Sequence, residues 1–191
     1  MRLTTLILCL GLGMVAYAEA PFALADVPIP VPVAHKPEIA VPGKTIEKNE
    51  KKIDLKQYRG KALVVVMIST TCKHCITAVQ FLTEMQKQYG AQGLQVVGLA
   101  GDPNADVAVP AFVEQYHLNF PFGYLAKDPF LKLANLPSDG RPFVPVVLFV
   151  DPKGMVRNRM FGNDTQMKNT ENALLQGIKE LLAQSAPLMK K

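Results

Sequence analysis

The stretch ALVVVMISTTCKHCITAVQFL, Ala62 to Leu82, decides the fold. Its first part, ALVVVMIS, is a continuous apolar and β-branched run of strand length, the pattern of a strand buried on both faces. Two cysteines follow, Cys72 and Cys75, separated by Lys73 and His74. Beyond them Ile76, Val79, Leu82 and Met85 recur at spacings of three, which predicts a helix with one apolar stripe ending before Gly90. A strand leading into Cys-x-x-Cys and then a helix places Cys72 at the helix N-terminus. There, unsatisfied backbone N–H groups and the positive end of the dipole stabilise an anion. A thiolate is such an anion, and positions of this kind lower a cysteine pKa from about 8.5 into the range of about 3.5 to 7.5.

That geometry divides the labour. Cys72 is the expected nucleophile, forming a mixed disulfide with a partner, and Cys75, one turn later and more buried, is the expected resolving thiol. Lys73 and His74 can both add positive potential, and His74 can also donate to the Cys72 sulfur; a solvent-facing role on the helix suits His74 equally well. Other uses of the pair fit less well. A structural zinc site needs about four ligands. Past the leader the chain offers two cysteines and three histidines, with His35 and His117 far from the pair in sequence. Copper held by Cys72, Cys75 and a histidine has no spacing signature. A passive disulfide across two residues closes a tiny loop and removes little chain entropy.

Working outward, LQVVGLA (Leu94 to Ala100) is a second buried strand and GDPNAD a loop. VAVPAFVEQYHL is a helix with Pro110 near its start, and residues 119 to 142 mix a short extended piece with turns. VPVVLFV and MVRNRMFG flank the turn Asp151-Pro152-Lys153-Gly154 and read as a hairpin. Leu174, Leu175, Ile178, Leu181 and Leu182 mark a closing amphipathic helix. Strand, helix, strand, helix, hairpin, helix is an α/β order with a central mixed sheet flanked by helices.

The N-terminus reads as a targeting segment. Residues 1–18, MRLTTLILCLGLGMVAYA, carry Arg2, an apolar stretch and Ala-Tyr-Ala at cleavage spacing, the pattern of a secretory signal peptide. An uncleaved membrane anchor is the alternative, against which the run is short of the ~20 apolar residues a span needs. Residues 19–43 hold six prolines around PIPVP and predict an extended linker, a spacer or arm rather than core, which either holds the domain away from a membrane or lies along its surface. A globular domain over 44–184 and a short basic tail over 185–191 follow. Of three cysteines, Cys9 goes with the leader, so the mature chain keeps only the pair, in a compartment where disulfides persist. Loss of Arg2 leaves 20 of the 21 basic residues against 16 acidic, near +4. They are scattered, which argues for a solvated surface and against nucleic-acid binding.

IDLKQYRGKALVVVMISTTCKHC, LQVVGLAGD, VPAFVEQYHLNFPF and VPVVLFVDPKGMV together resemble the exported TlpA/ResA-type thiol-disulfide oxidoreductases of the thioredoxin fold, over approximately residues 44 to 183. The resemblance implies an inserted helix followed by a Phe-Pro segment, which plain thioredoxins lack. It also implies a cis-proline at Pro145 beside the redox pair, with Thr71, Val144 and Pro145 meeting the bound partner. Its further implications are no cofactor beyond the Cys72–Cys75 disulfide, client protein thiols as partners, a membrane thiol as electron donor, a periplasmic or otherwise extracytoplasmic setting, and a part in cytochrome c maturation. The chain departs from that pattern in several places. Thr71 stands where a tryptophan is common. Val66 and Ala78 occupy the positions where relatives bury a proton-relaying acid, and neither can titrate.

The leading expectation is therefore an exported thiol-disulfide oxidoreductase, with reduction favoured by the resemblance and oxidation by the histidine between the cysteines. A peroxiredoxin-like thiol peroxidase is the second enzyme reading: Ser69 stands three before Cys72 as that chemistry asks, but Val65 stands where it wants proline. A copper-binding or redox-inert module on the same scaffold is the third.

Overall fold

The computed structural model describes residues 21–25, 28–31, 51–164 and 169–189. The predicted signal peptide and residues 32–50 lie outside that set, and so do the last two lysines. Eight strands and four α-helices make up the described part: β1 (Phe22–Ala23), β2 (Ile29–Val31), β3 (Lys51–Ile53), β4 (Ala62–Ile68), α1 (Lys73–Tyr89), β5 (Leu94–Ala100), α2 (Ala105–Gln115), β6 (Phe122–Tyr124), α3 (Lys127–Leu133), β7 (Val146–Val150), β8 (Met155–Phe161) and α4 (Thr170–Met189). Six strands form one sheet in the order β1-β8-β7-β4-β5-β6, and β2 pairs with β3 in a separate ribbon. β4 runs parallel to β5 and antiparallel to β7, so the sheet is mixed and β4 lies inside it.

The apolar run of β4 is buried at every position because each face of the sheet is covered. Ala62, Val64, Val66 and Ile68 join one core cluster with residues of α1, α2 and α4. Leu63, Val65 and Met67 join the other, with Ile29, Leu55, Phe130 and Leu133. The period of two in a strand assigns alternate residues to opposite faces, and β-branched residues suit a surface packed on both sides. β7 splits the same way, Val147 and Phe149 against Val146, Leu148 and Val150.

Several boundaries differ from the sequence reading. In α1 the buried stripe is Cys75, Ala78, Val79, Leu82 and Met85, whereas Ile76 is only partly buried, so the helix is rotated to bring Cys75 inward. The stretch expected to mix a short extended piece with turns holds β6 but also α3, whose Phe130, Leu131 and Leu133 are buried. Pro129 falls in its first turn, where a missing N–H costs nothing. α2 starts at Ala105, inside the expected loop, with Pro110 in its interior. α4 continues to Met189, past the predicted domain end at 184.

The arm also differs. It is extended, as its prolines require, but its described residues are packed rather than free. Phe22 and Ala23 pair with Val156 and Met155 at the sheet edge, and Ile29 is fully buried. An apolar residue between prolines can leave water if the extended segment lies against the domain, and this one does: a Cβ at Gly123 would meet the Pro30 carbonyl oxygen at 2.5 Å. The packed unit therefore includes part of the segment expected to be a linker. Among the described residues no helix is long and apolar enough to cross a membrane.

Candidate active site

The end of β4 releases the chain into a turn, and the redox pair begins α1. Cys72 is the N-cap, with extended backbone (φ −83°, ψ 118°). Its N–H donates to the Ser69 carbonyl at 3.2 Å, and its Sγ accepts from the Cys75 backbone N–H at 3.4 Å. A side chain at the N-cap normally satisfies one of the orphan N–H groups of the first turn; here a sulfur does so. Cys72 is half-buried and Cys75 fully buried, and the two sulfurs are not joined. Cys72 thus presents a reachable sulfur, and Cys75 sits one turn deeper along the same helix.

The surroundings treat Cys75 as a thiol. Burial comes first in pushing its pKa up, followed by the hydrogen bond with Cys72; a backbone hydrogen bond from Ser69 pulls the other way, and the charges of Cys72 and Asp102 add to the rise. Ionisation of a buried thiol removes its charge from water, so the protonated form is favoured.

Opposite the pair lies the segment before β7. The Val144–Pro145 peptide bond is cis, and the Cys72 Sγ–H points to the Val144 carbonyl oxygen at 3.9 Å. Pro145 is buried, Val144 half-buried and Phe143 63% exposed, one of two large apolar side chains that stand out in solvent among the described residues. The structure thus brings Cys72, Cys75 and Val144 together, with Pro145 next to Val144. Thr71 is exposed on the turn, its Oγ1 3.2 Å from Ser69 Oγ. Lys73 and His74 are exposed on the first turn of α1. No bond from His74 to the Cys72 sulfur is seen; the donor there is the Cys75 N–H.

Three residues of the site escaped the sequence reading. Asp102, just after β5, accepts from the Thr70 N–H at 2.6 Å and from the Thr70 hydroxyl at 2.9 Å. Thr70 belongs to the turn that carries Cys72. Gly162, just after β8, donates its N–H to the Phe143 carbonyl at 2.8 Å, and a Cβ there would collide with the Val144 carbonyl. The available signal was the register of β4 with β5, which sets Thr70 and Asp102 two residues beyond the paired Ile68 and Ala100.

Among the described residues no three His, Cys, Asp or Glu side chains converge as a metal site. The copper reading is left with two sulfurs and no third donor beside them in that set.

The family model described as AhpC/TSA family matches residues 34–159. The chain belongs to the AhpC/TSA family. It is similar to the thiol-disulfide oxidoreductase ResA of Bacillus cereus, at 31% identity over 61% of this chain and 64% of that protein. The match therefore spans a little under two thirds of the relative's length. Its fold is shared with a thiol:disulfide interchange protein of the thioredoxin family from Chlorobium tepidum, at a TM-score of 0.54 and 19% identity over 81% of this chain and 99% of that one. A peroxidoxin from Mycobacterium tuberculosis shares it too, at a TM-score of 0.59 and 13% identity over 85% of this chain and 95% of that one. The likeness to TlpA/ResA-type proteins and the thioredoxin-like fold are thus borne out. Two proteins named for different chemistries, a thiol:disulfide interchange protein and a peroxidoxin, share this fold, so the fold does not decide the chemistry.

Proposed function

We propose that this chain is an extracytoplasmic thiol-disulfide oxidoreductase that reduces client protein disulfides through Cys72 and Cys75. The observation that carries this is the pairing of a half-buried Cys72 at the start of α1 with a fully buried Cys75 whose N–H already reaches the first sulfur. The Cys72 thiolate attacks a client disulfide, forming a Cys72–client bond and releasing one client thiolate, which takes up a proton. Cys75 then gives up its proton and attacks the Cys72 sulfur, and the second client thiolate leaves. The client gains two electrons and the pair becomes a disulfide, which a membrane thiol donor returns to the dithiol. The chain's own pair is the redox group, so no separate cofactor is needed. The exposed Phe143 and the Val144 backbone lie on the side of Cys72 from which an extended client segment approaches. The resemblance to ResA supports the direction, and c-type cytochrome precursors are one client class for such an exchange.

The peroxidase reading is favoured by the family model and by the fold shared with a peroxidoxin. Against it stands the Ser69 hydroxyl, which is 3.2 Å from the Thr71 hydroxyl and accepts from the Thr71 N–H at 3.4 Å, and so is engaged within the turn rather than with the sulfur.

The test is reduction of a disulfide-bonded protein such as insulin by the reduced chain. Turnover lost in Cys72→Ser, and a trapped mixed disulfide in Cys75→Ser, are the expected results. Peroxide consumption at catalytic rates, without protein-disulfide reduction, would overturn the proposal in favour of the peroxidase.

A further inference from the structure

The two sides of the Cys72 sulfur differ in chemistry. On the turn side stand Ser69, Thr70 and Thr71, followed on α1 by Lys73 and His74, and of these Thr71, Lys73 and His74 are exposed. The hydroxyls of that turn are engaged with each other and with Asp102: Ser69 Oγ lies 3.2 Å from Thr71 Oγ1, and the Thr70 hydroxyl donates to Asp102 Oδ2 at 2.9 Å. On the other side the Val144 carbonyl oxygen lies 3.9 Å from the sulfur. The residue before it is Phe143, whose side chain is 63% exposed.

A single apolar side chain in solvent is ordinary. Among the described residues the large exposed ones are Val107 and Phe143, and Phe143 is set apart by its place and its support. Its carbonyl accepts the Gly162 N–H at 2.8 Å. The turn around Gly162 is itself closed, with the Phe161 N–H on Asp164 Oδ2 at 2.7 Å and the Asp164 N–H on the Phe161 carbonyl at 2.9 Å. Next along the chain, Val144 packs against both core clusters and Pro145 is buried. The Phe143 backbone is thus held in place while its ring is left largely uncovered. A group on fixed backbone gives up little freedom when a partner covers it.

An extended client presents its reacting cysteine and the residues two positions from it on one side, about 7 Å apart. Phe143 is one residue, about 3.8 Å, from Val144, so its ring is within reach of such a neighbour when the client cysteine meets Cys72. We infer that Phe143 is a specificity-determining residue: it selects client disulfides whose extended segment carries an apolar side chain two positions from the cysteine. This rests on the dithiol reading above and deepens it by naming the class of client. Val107 supplies a control. It is also exposed, but it lies on the first turn of α2 beyond β5, on the other side of β4 from β7 and Phe143.

The test is reduction, by the reduced chain, of two disulfide-linked peptide dimers. They are alike except at the positions two residues before and after the cysteine, which hold phenylalanine in one and serine in the other. The second-order rate constant is expected to be about two- to tenfold larger for the phenylalanine peptide, the range of an aromatic pair. In Phe143→Ser that ratio falls to near one, in Phe143→Leu it is largely retained, and Val107→Ser keeps the wild-type value. Taking the ratio within each variant cancels any change in the reactivity of the sulfur itself. A wild-type ratio near one overturns the inference and needs no variant to fold. A ratio unmoved by Phe143→Ser overturns it too; should a wild-type dimer then come apart in that variant, the ring belongs to a second copy of the chain. An equal fall in Val107→Ser also overturns it, because general apolar surface would then set the preference. Wild type that reduces neither peptide strikes the proposed function itself, a result distinct from equal reduction of both.

Discussion

The Val144 carbonyl oxygen lies 3.9 Å from Cys72 Sγ although 72 residues separate them in the chain. The contact exists because β7 pairs antiparallel with β4. The chain entering β7 therefore sits at the same end of the sheet as the chain leaving β4. Gly162 supports it from the other side, its N–H on the Phe143 carbonyl and its missing Cβ leaving room for Val144.

Gly162→Ala should displace this segment, because the added carbon meets backbone rather than a movable side-chain end. Overpacking of this kind costs roughly 1–3 kcal/mol. The expected result is a lower denaturant midpoint together with a larger KM for the client disulfide. A variant that loses stability while keeping its KM would show that the Val144 side of the site is not used by the client.

Burial and the hydrogen bond with Cys72 raise the Cys75 pKa. The reduced chain should therefore be alkylated at Cys72 first, with Cys75 unlabelled until strongly alkaline pH or unfolding. The sign for stability follows from the raised folded value. An unfolded cysteine ionises at about 8.5 while the folded Cys75 stays a thiol, so this group's contribution is complete below that pH and is lost as pH rises above it. Mass-resolved labelling against pH, with equal labelling of both cysteines at neutral pH as the contrary outcome, checks the point.

Much of this was legible in the sequence because local pattern and tertiary role agree. The run from Leu63 to Met67 is apolar at every position since both faces of β4 are covered, and Cys72 caps α1 since the apolar stripe begins just after it. What escaped notice depends on long-range register or on very short elements. Asp102 reaches Thr70 across 32 residues through strand pairing, which no spacing near the cysteines reveals. α3 is seven residues long, too short to show a helical period. Ile29 sits between Pro28 and Pro30, and a composition that favours extended chain says nothing about whether the chain is docked.

Asp151 anchors the β7–β8 turn. Burial alone would raise its pKa, but the Met155 and Lys153 N–H groups and the Arg157 guanidinium outweigh it and hold the carboxyl below its usual range. A lowered folded value means stability that is present above the ordinary carboxyl pKa of about 3.9 and is lost as pH falls through the folded one. Asp151→Asn should flatten the acid limb of the stability–pH curve and lower stability near neutrality by about 1–3 kcal/mol. An unchanged acid limb would remove Asp151 from that role.

The docked arm yields a prediction that separates stability from chemistry. Ile29 is fully buried and pairs with Ile53, and it belongs to the cluster on the sheet face opposite α1. Ile29→Ala removes buried carbon from a site where Gly123 lets the backbone approach closely, and truncations of this kind cost about 2–5 kcal/mol. The redox pair packs in the other cluster, so its local geometry should be unaffected. Urea melts of Ile29→Ala should show the lost stability, while Cys72 alkylation in the folded variant keeps its wild-type rate. A melt that superimposes on wild type would show that the arm is not part of the folding unit. A changed Cys72 rate at full occupancy of the native state would show that the two faces of the sheet are coupled through β4.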